Sequence, residues 1–333
     1  MQPLGMINRQ DQLAALSDEH RLALLRRLMC GPSTISRLGR EFDRHPAWIR
    51  YHVKRLQAVG LVEPAGEKTT RNYTEKFYRA GSQAMAVHLL VAPDAGSNPM
   101  LVVLGSDDFA LQLLADELNS DSSNGQVVAS SVGSLDGLIA LRQGLADVAG
   151  CHLFDAPSGD YNVPYLRHLF PDRALEVVTL THREQGLMSR KGGQRRVSTI
   201  GDLAEAHLRF VNRNRGSGTR VWLDTQLGVL GIDGAAVDGY DVELTTHADV
   251  ASAVASGQAD VGLGIRAAAE QHELEFIPLF TERYDLVFDA RRVGDADVSR
   301  LRERMESKGF RSRVDTLLGY DSSHTGEYTK LAV

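Results

Sequence analysis

At 333 residues the chain exceeds the usual single domain and predicts two; 43% hydrophobic residues allow a sizeable core, and no run of about 18 apolar residues offers a membrane-spanning helix. The net charge of −6 is uneven: residues 1–92 carry 14 Lys/Arg against 8 Asp/Glu and the remainder 23 against 35, so a basic head that suits a polyanion precedes an acidic body. Two cysteines, Cys30 and Cys151, exclude a disulfide framework or cysteine metal cluster and suit the reduced thiols of a cytoplasmic protein.

The first stretch, MQPLGMINRQDQLAALSDEHR, lacks the basic start, apolar segment and cleavage site of a secretion signal, so a cytoplasmic location is expected. Leu13, Leu16, Leu22, Leu24, Leu25 and Leu28 follow helical spacing, and Gly31-Pro32 ends that run. Cys30 reads as a small core residue. Ser33 is placed to cap a helix containing Ile35 and Leu38, and Pro46 to open the next, which runs to near Gly60. Leu61–Glu63 and Asn72–Thr74, around a turn at Gly66, predict a β-hairpin. On the helix from Pro46, Trp48, Ile49, Val53 and Leu56 form an inward stripe, leaving Arg50, Tyr51, Lys54 and Arg55 on other faces. Trp48, those four residues and the hairpin's Lys68 and Arg71 are the candidate DNA contacts, mixing phosphate-binding charge with base-edge readers.

Three stretches, "LSDEHRLALLRRLMCGPSTISRLGREF", "HPAWIRYHVKRLQAVGLVEPAG" and "RNYTEKFYRAG", resemble the winged helix-turn-helix of the arsenical-resistance-repressor class over roughly residues 8–81. The resemblance implies double-stranded DNA as partner. The metal-sensing members carry clustered cysteines, whereas Cys30 stands alone, so no metal is expected here.

Residues 92–99, rich in Pro, Gly, Ser and Asn, read as a linker between a head of residues 1–91 and a body beginning at 100. Strand and helix patterns then alternate: Met100–Leu104, Phe109–Leu118, Val127–Ser131, Leu135–Gly144, Asp147–Gly150, Arg209–Asn212, a helix from Thr219, Val250–Ser256, Val261–Leu263 and Phe276–Leu279. Such alternation predicts parallel sheets in an α/β fold. After residue 290 a charged helical extension, 291–333, suits a solvated cap or a subunit contact.

Chemistry concentrates in three strand-to-helix loops. Ser106 lies in Gly105–Asp108, Ser134 in Val132–Asp136, and Ser217, Gly218 and Thr219 in the Gly-rich Asn214–Arg220 turn. Hydroxyls and unpaired N–H groups at helix N-termini favour anions, although Ser106 and Ser134 taken singly read better as helix caps. Arg215 and Arg220 can supply charge to an anion or pair with acids such as Asp224. Asp107 and Asp108 sit awkwardly beside an anion and either point outward or accept a ligand proton.

The stretches "SVGSLDGLIALRQGLADVAGCHLFD", "YNVPYLRHLFP", "LTHREQGLMSRK", "FVNRNRGSGTRVWLD" and "VASAVASGQADVGLGIRAAAE" resemble the periplasmic-binding-protein type II fold, in particular its molybdate-binding-like branch, over residues 100–290. The resemblance implies two α/β lobes around a cleft, with hinge crossings near Thr181–Gly186 and Gly262–Arg266. It places Ser106 and Ser134 on one lobe and Ser217, Gly218 and Thr219 on the other, and lines the cleft or hinge with His152, Asp155, Tyr161 and Asn162, residues that suit a structural network equally. His182, Arg183 and Glu184 read as hinge struts or ligand contacts. No G-x-S-x-G elbow or P-loop ending is present, so no enzyme and no cofactor are expected. The sequence thus predicts a dimeric one-component regulator whose effector is molybdate or tungstate. Its rivals are a sensor of phosphate, sulfate or a small organic acid, and a molybdenum-cofactor handling protein.

Overall fold

The computed structural model describes residues 2–7, 9–70, 73–87, 100–120, 125–192, 197–205 and 208–332. The expected linker at 92–99 and the candidate contact Arg71 lie outside the described residues. The chain divides into two units, Met1–Pro93 and Asp94–Val333.

In the first unit the helices are Gln10–Leu16, Glu19–Met29, Ile35–Glu41 and Pro46–Ala58. Asp18 caps the second by accepting from the Arg21 N–H at 2.9 Å. The third is capped by Thr34, not by Ser33, which is buried in the two-residue strand Ser33–Thr34. A four-residue turn, 42–45, leads to Pro46 at the first helical position, where its missing N–H costs nothing. Leu24, Leu25, Leu28, Leu38, Ile49, Val53 and Leu56 close one core. Strands Val62–Thr70 and Tyr73–Ala80 pair antiparallel, and Gly66 occupies a bulge inside the first strand rather than the expected turn. Cys30 is exposed, contrary to the core placement expected of it, because it falls at the end of the second helix with its Sγ 3.4 Å from the Arg26 carbonyl.

The second unit is built on one large sheet. Its main path runs Glu243–Leu244, Phe210–Arg213, Val261–Ile265, Leu175–Ser189, Glu275–Asp289, Val148–Cys151, Met100–Gly105 and Gln126–Ser131. The strands at each end pair parallel, with helices Phe109–Asn119, Ser134–Gln143, Gly218–Val229 and His247–Ala255 as connections. The two central strands run antiparallel to each other and to their neighbours, so the sheet is mixed rather than parallel. Each central strand is 15 residues long and serves both lobes. Residues 175–179 and 285–289 belong with Val148–Cys151, whereas Gln185–Ser189 pairs with Val261–Ile265. The crossings between lobes are therefore 181–185 and 281–285. The first agrees with the expected hinge; the second does not, because Val261–Ile265 is a buried strand within one lobe.

The C-terminal segment is not a solvated cap. Helices Ala296–Glu306 and Lys308–Val314 bury Val298, Leu301, Met305, Phe310 and Val314 in the cluster that holds Leu101, Val103 and Phe288. Strands Tyr320–Asp321 and Tyr328–Leu331 pair with Leu175–Ser189. Their charged residues include Arg302 and Arg304, which pair with the buried Glu176 and with Glu117.

Candidate functional site

The three hydroxyl loops meet between the lobes. The Leu135 N–H donates to the Gly216 carbonyl at 3.0 Å, which seats the Asn214–Thr219 turn on the opposite lobe. Gly218 lies so close to His152 that a Cβ there would stand 2.3 Å from the His152 carbonyl oxygen and 2.5 Å from Nδ1. Ser106, Ser134, Ser217 and Thr219 are all buried. Only Ser217 caps a helix, accepting from the Arg220 N–H at 3.3 Å. The cap before Phe109 is Asp108, and the position before Ser134 is Gly133, which makes no side-chain cap. The simple capping role expected of Ser106 and Ser134 is therefore wrong. Ser134 Oγ instead accepts from the His152 N–H at 3.2 Å, and Ser106 Oγ lies 2.8 Å from His152 Nε2.

His152 links these loops to the hinge. Its Nδ1 is 2.7 Å from Glu282 Oε2, and Glu282 Oε1 accepts from Arg183 Nε at 2.6 Å and Gln185 Nε2 at 2.7 Å. Gln185 Nε2 also reaches Thr219 Oγ1 at 3.1 Å, and Arg183 Nη1 donates to Asp108 Oδ2 at 2.6 Å. Although burial opposes its charge, Glu282 is held down at about 2 by His152 and Arg183, so it is ionised at neutral pH. Burial lowers the His152 imidazole below the ordinary range, and pushes His247 well below it with help from Arg213 and Arg183. Arg213 is pulled down to about 10, chiefly by burial, and stays cationic. These residues, fully enclosed, leave polar atoms without a partner: Arg183 Nη2, Arg213 Nε and Nη1, Gln185 Oε1 and both His247 ring nitrogens. Buried donors and acceptors are normally satisfied, so such a concentration marks a place built for an occupant.

Of the two alternatives open for Arg215 and Arg220, both side chains make the salt bridge. Arg215 is exposed and pairs with Asp241 and Glu243. Arg220 pairs with Asp224 one helical turn on, at 2.9 Å, and lies over the Tyr240 ring. The arginines in the cluster are Arg183 and Arg213, at the centre of one long strand and the end of Phe210–Arg213. Asp107 and Asp108 point inward rather than outward: Asp107 accepts from Gln112 Nε2 at 2.9 Å and from the His247 N–H at 3.0 Å. Tyr161 lies at the hinge, its hydroxyl 3.4 Å from the Thr281 carbonyl, and Asn162 bonds Asp285 at 2.7 Å. His182 stacks edge-on with His324, Glu184 pairs with Arg266, and Asp155 holds a turn through Ser158. A groove of about 480 Å³ between Phe109, Gln112, Thr246, Gln271 and Leu317 reaches Asp107, but not the serines. No cluster of metal-ligating side chains occurs among the described residues.

In the first unit, Arg50, Tyr51, Lys54, Arg55 and Lys68 are exposed, whereas Trp48 is half-buried against His52, with ring centroids 4.0 Å apart. Arg55 lies over the Tyr51 ring, 5.6 Å from its centroid.

A family model for the PBP superfamily domain matches residues 115–306, the span that holds the hinge and most of this cluster. The chain belongs to the PBP superfamily. A solved structure of similar fold is that of the Clostridium perfringens protein designated a phosphate ABC transporter substrate-binding protein, with bound phosphate. It has a TM-score of 0.53 and 10% identity, and the match covers 67% of this chain and 99% of that one. This likeness establishes the two-lobed fold. The uncharacterized protein YvgK of Bacillus subtilis (strain 168) is 34% identical over 235 residues, 71% of this chain and 74% of its own length. An uncharacterized protein from the 5′ region of a Clostridium pasteurianum 2Fe-2S ferredoxin gene is 37% identical over 108 residues, 32% of this chain and 96% of its own.

Proposed function

We propose that this PBP-superfamily chain is a cytoplasmic one-component transcription regulator. Its second unit binds a small oxyanion, molybdate or tungstate in the finer reading, and its first unit binds duplex DNA as a winged helix, with the chain acting as a homodimer and without catalysis. The observation that carries the anion reading is the set of unpartnered N–H groups on buried Arg183 and Arg213, beside the hydroxyls of Ser106, Ser134, Ser217 and Thr219. The DNA reading rests on Pro46–Ala58, which follows a helix and a four-residue turn and exposes Arg50, Lys54 and Arg55 beside a strand hairpin. Phosphate, present in the Clostridium perfringens relative, belongs in the same anion panel.

The test is calorimetric titration with molybdate, tungstate, phosphate, sulfate and small carboxylates, beside anisotropy of labelled duplex DNA against salt. Binding of at least one oxyanion is expected. Lys54→Ala should reduce the salt slope of DNA binding by about one unit. Heat with carboxylates alone would overturn the oxyanion reading, and absence of duplex binding at any salt would favour the cofactor-handling alternative.

A further inference from the structure

The cleft's charge and hydrogen-bond direction are incompatible with simply adding a dianion. Its two guanidiniums, on Arg183 and Arg213, already face three buried carboxylates, on Asp107, Asp108 and Glu282. A proton-free dianion placed among them would deepen an existing negative excess in a low-dielectric interior, which is costly.

The hydrogen bonds say where relief can come from. Glu282 is a carboxylate and therefore an acceptor, so the Nδ1 of a neutral His152 must carry the hydrogen and donate to it. Nε2 is then bare and accepts the Ser106 O–H at 2.8 Å. In that state Ser106 offers the cleft only lone pairs, which repel an anion oxygen. To donate to an anion, Ser106 must turn its O–H away from His152, and Nε2 must gain a hydrogen to donate to Ser106 Oγ in its place.

We propose that the cleft takes up one proton with each proton-free dianion it binds, and that His152 is the residue that accepts it. The proposal rests on the anion-binding reading of this cleft. No covalent bond of the ligand changes: a solvent proton adds to Nε2, and the Ser106 O–H passes from His152 to an anion oxygen. The groups facing His152 are Glu282 and Tyr284 on one long strand, Arg183 on the other and Arg213 on Phe210–Arg213. Ser106 and Ser134 face it from two loops, and His247 from the helix His247–Ala255. Of these, Glu282 favours the imidazolium, the arginines oppose it, and an arriving dianion shifts that balance towards charge.

The experiment is titration of the full chain with molybdate, in buffers of unlike ionisation enthalpy, from pH 6.5 to 7.5. The expected result is uptake of close to one proton per molybdate, with affinity falling about tenfold across that pH unit. In His152→Gln, whose amide can donate to Ser106 without titrating, molybdate should bind with no proton uptake. A cooperative circular-dichroism melt shows whether His152→Gln folds, and Arg215→Ala, whose side chain is exposed and paired with Asp241 and Glu243 outside the cluster, should still take up one proton. Molybdate heat without proton uptake in the wild type overturns the proposal while leaving the anion-binding reading standing. Undiminished uptake in His152→Gln overturns the assignment to His152. No heat with molybdate, tungstate, sulfate or phosphate overturns both.

Discussion

Arginine identity separates the site from its surroundings. Arg215 and Arg220 lie in or beside the Gly-rich turn, yet each pairs with carboxylates, Asp241 and Glu243 brought in by the fold for one and Asp224 one helical turn on for the other. Arg213 makes a single side-chain bond, Nη2 to the Thr245 carbonyl at 2.7 Å, and keeps Nε and Nη1 unpartnered. Arg213→Lys retains a cation but cannot supply both remaining N–H groups. A hydrogen bond to a charged group is worth about 1.5–3 kcal/mol, so molybdate affinity should fall roughly tenfold or more while the melting temperature changes little. Arg215→Ala should bind like the wild type. Equal losses in both variants, read by calorimetry, would mean that long-range charge rather than directed donors holds the anion.

At the scale of elements, the N-terminus of Gly218–Val229 is where one lobe seats on the other. Its first residue must lack a side chain, because any Cβ would enter the space of His152. Gly218→Ala should therefore prevent the turn from seating, costing the proposed anion binding while leaving the melt of the first unit unchanged. Retention of wild-type anion affinity would show that the lobes need not meet. Most of the longer helices and the strands near 100–104, 127–131, 147–150, 209–212 and 261–263 were legible in the sequence, because their apolar residues recur at the helical or strand period and helix ends carry Pro46, Gly144 or a capping hydroxyl. Of the two long strands, only Phe276–Leu279 was. Thr181-His182-Arg183-Glu184-Gln185 and Thr281-Glu282-Arg283 interrupt their apolar runs with charge, which reads as connection. Those polar interruptions are the hinge and half of the site; Arg183 reads from the sequence as a hinge strut or ligand contact, whereas Gln185 and Glu282 carry no signal of their own. Ser106, Ser134, Ser217 and Thr219 were legible because loop hydroxyls at helix starts have a local signature; a strand-borne arginine has none.

The whole second unit depends on its last 43 residues, 291–333. Val298, Leu301, Met305, Phe310 and Val314 are buried there, and each such side chain contributes about 1.5–3 kcal/mol. Their sum is comparable to the 5–15 kcal/mol that typically separates folded from unfolded domains. Removal of residues 291–333 should abolish the cooperative melt of this unit, followed by circular dichroism; a truncated chain that still melts cooperatively and binds anion would refute this accounting. The double passage of the chain through both lobes also sets an order of manufacture. The strands Met100–Gly105, Gln126–Ser131 and Val148–Cys151 leave the ribosome first, but their lobe is closed only by 285–289 and Tyr328–Leu331. The other lobe, nested between, has all its strands earlier. At roughly 5–20 residues per second, the first-made strands wait on the order of ten seconds or more for their partners. That interval, rather than the finished fold, is when this chain most needs a chaperone.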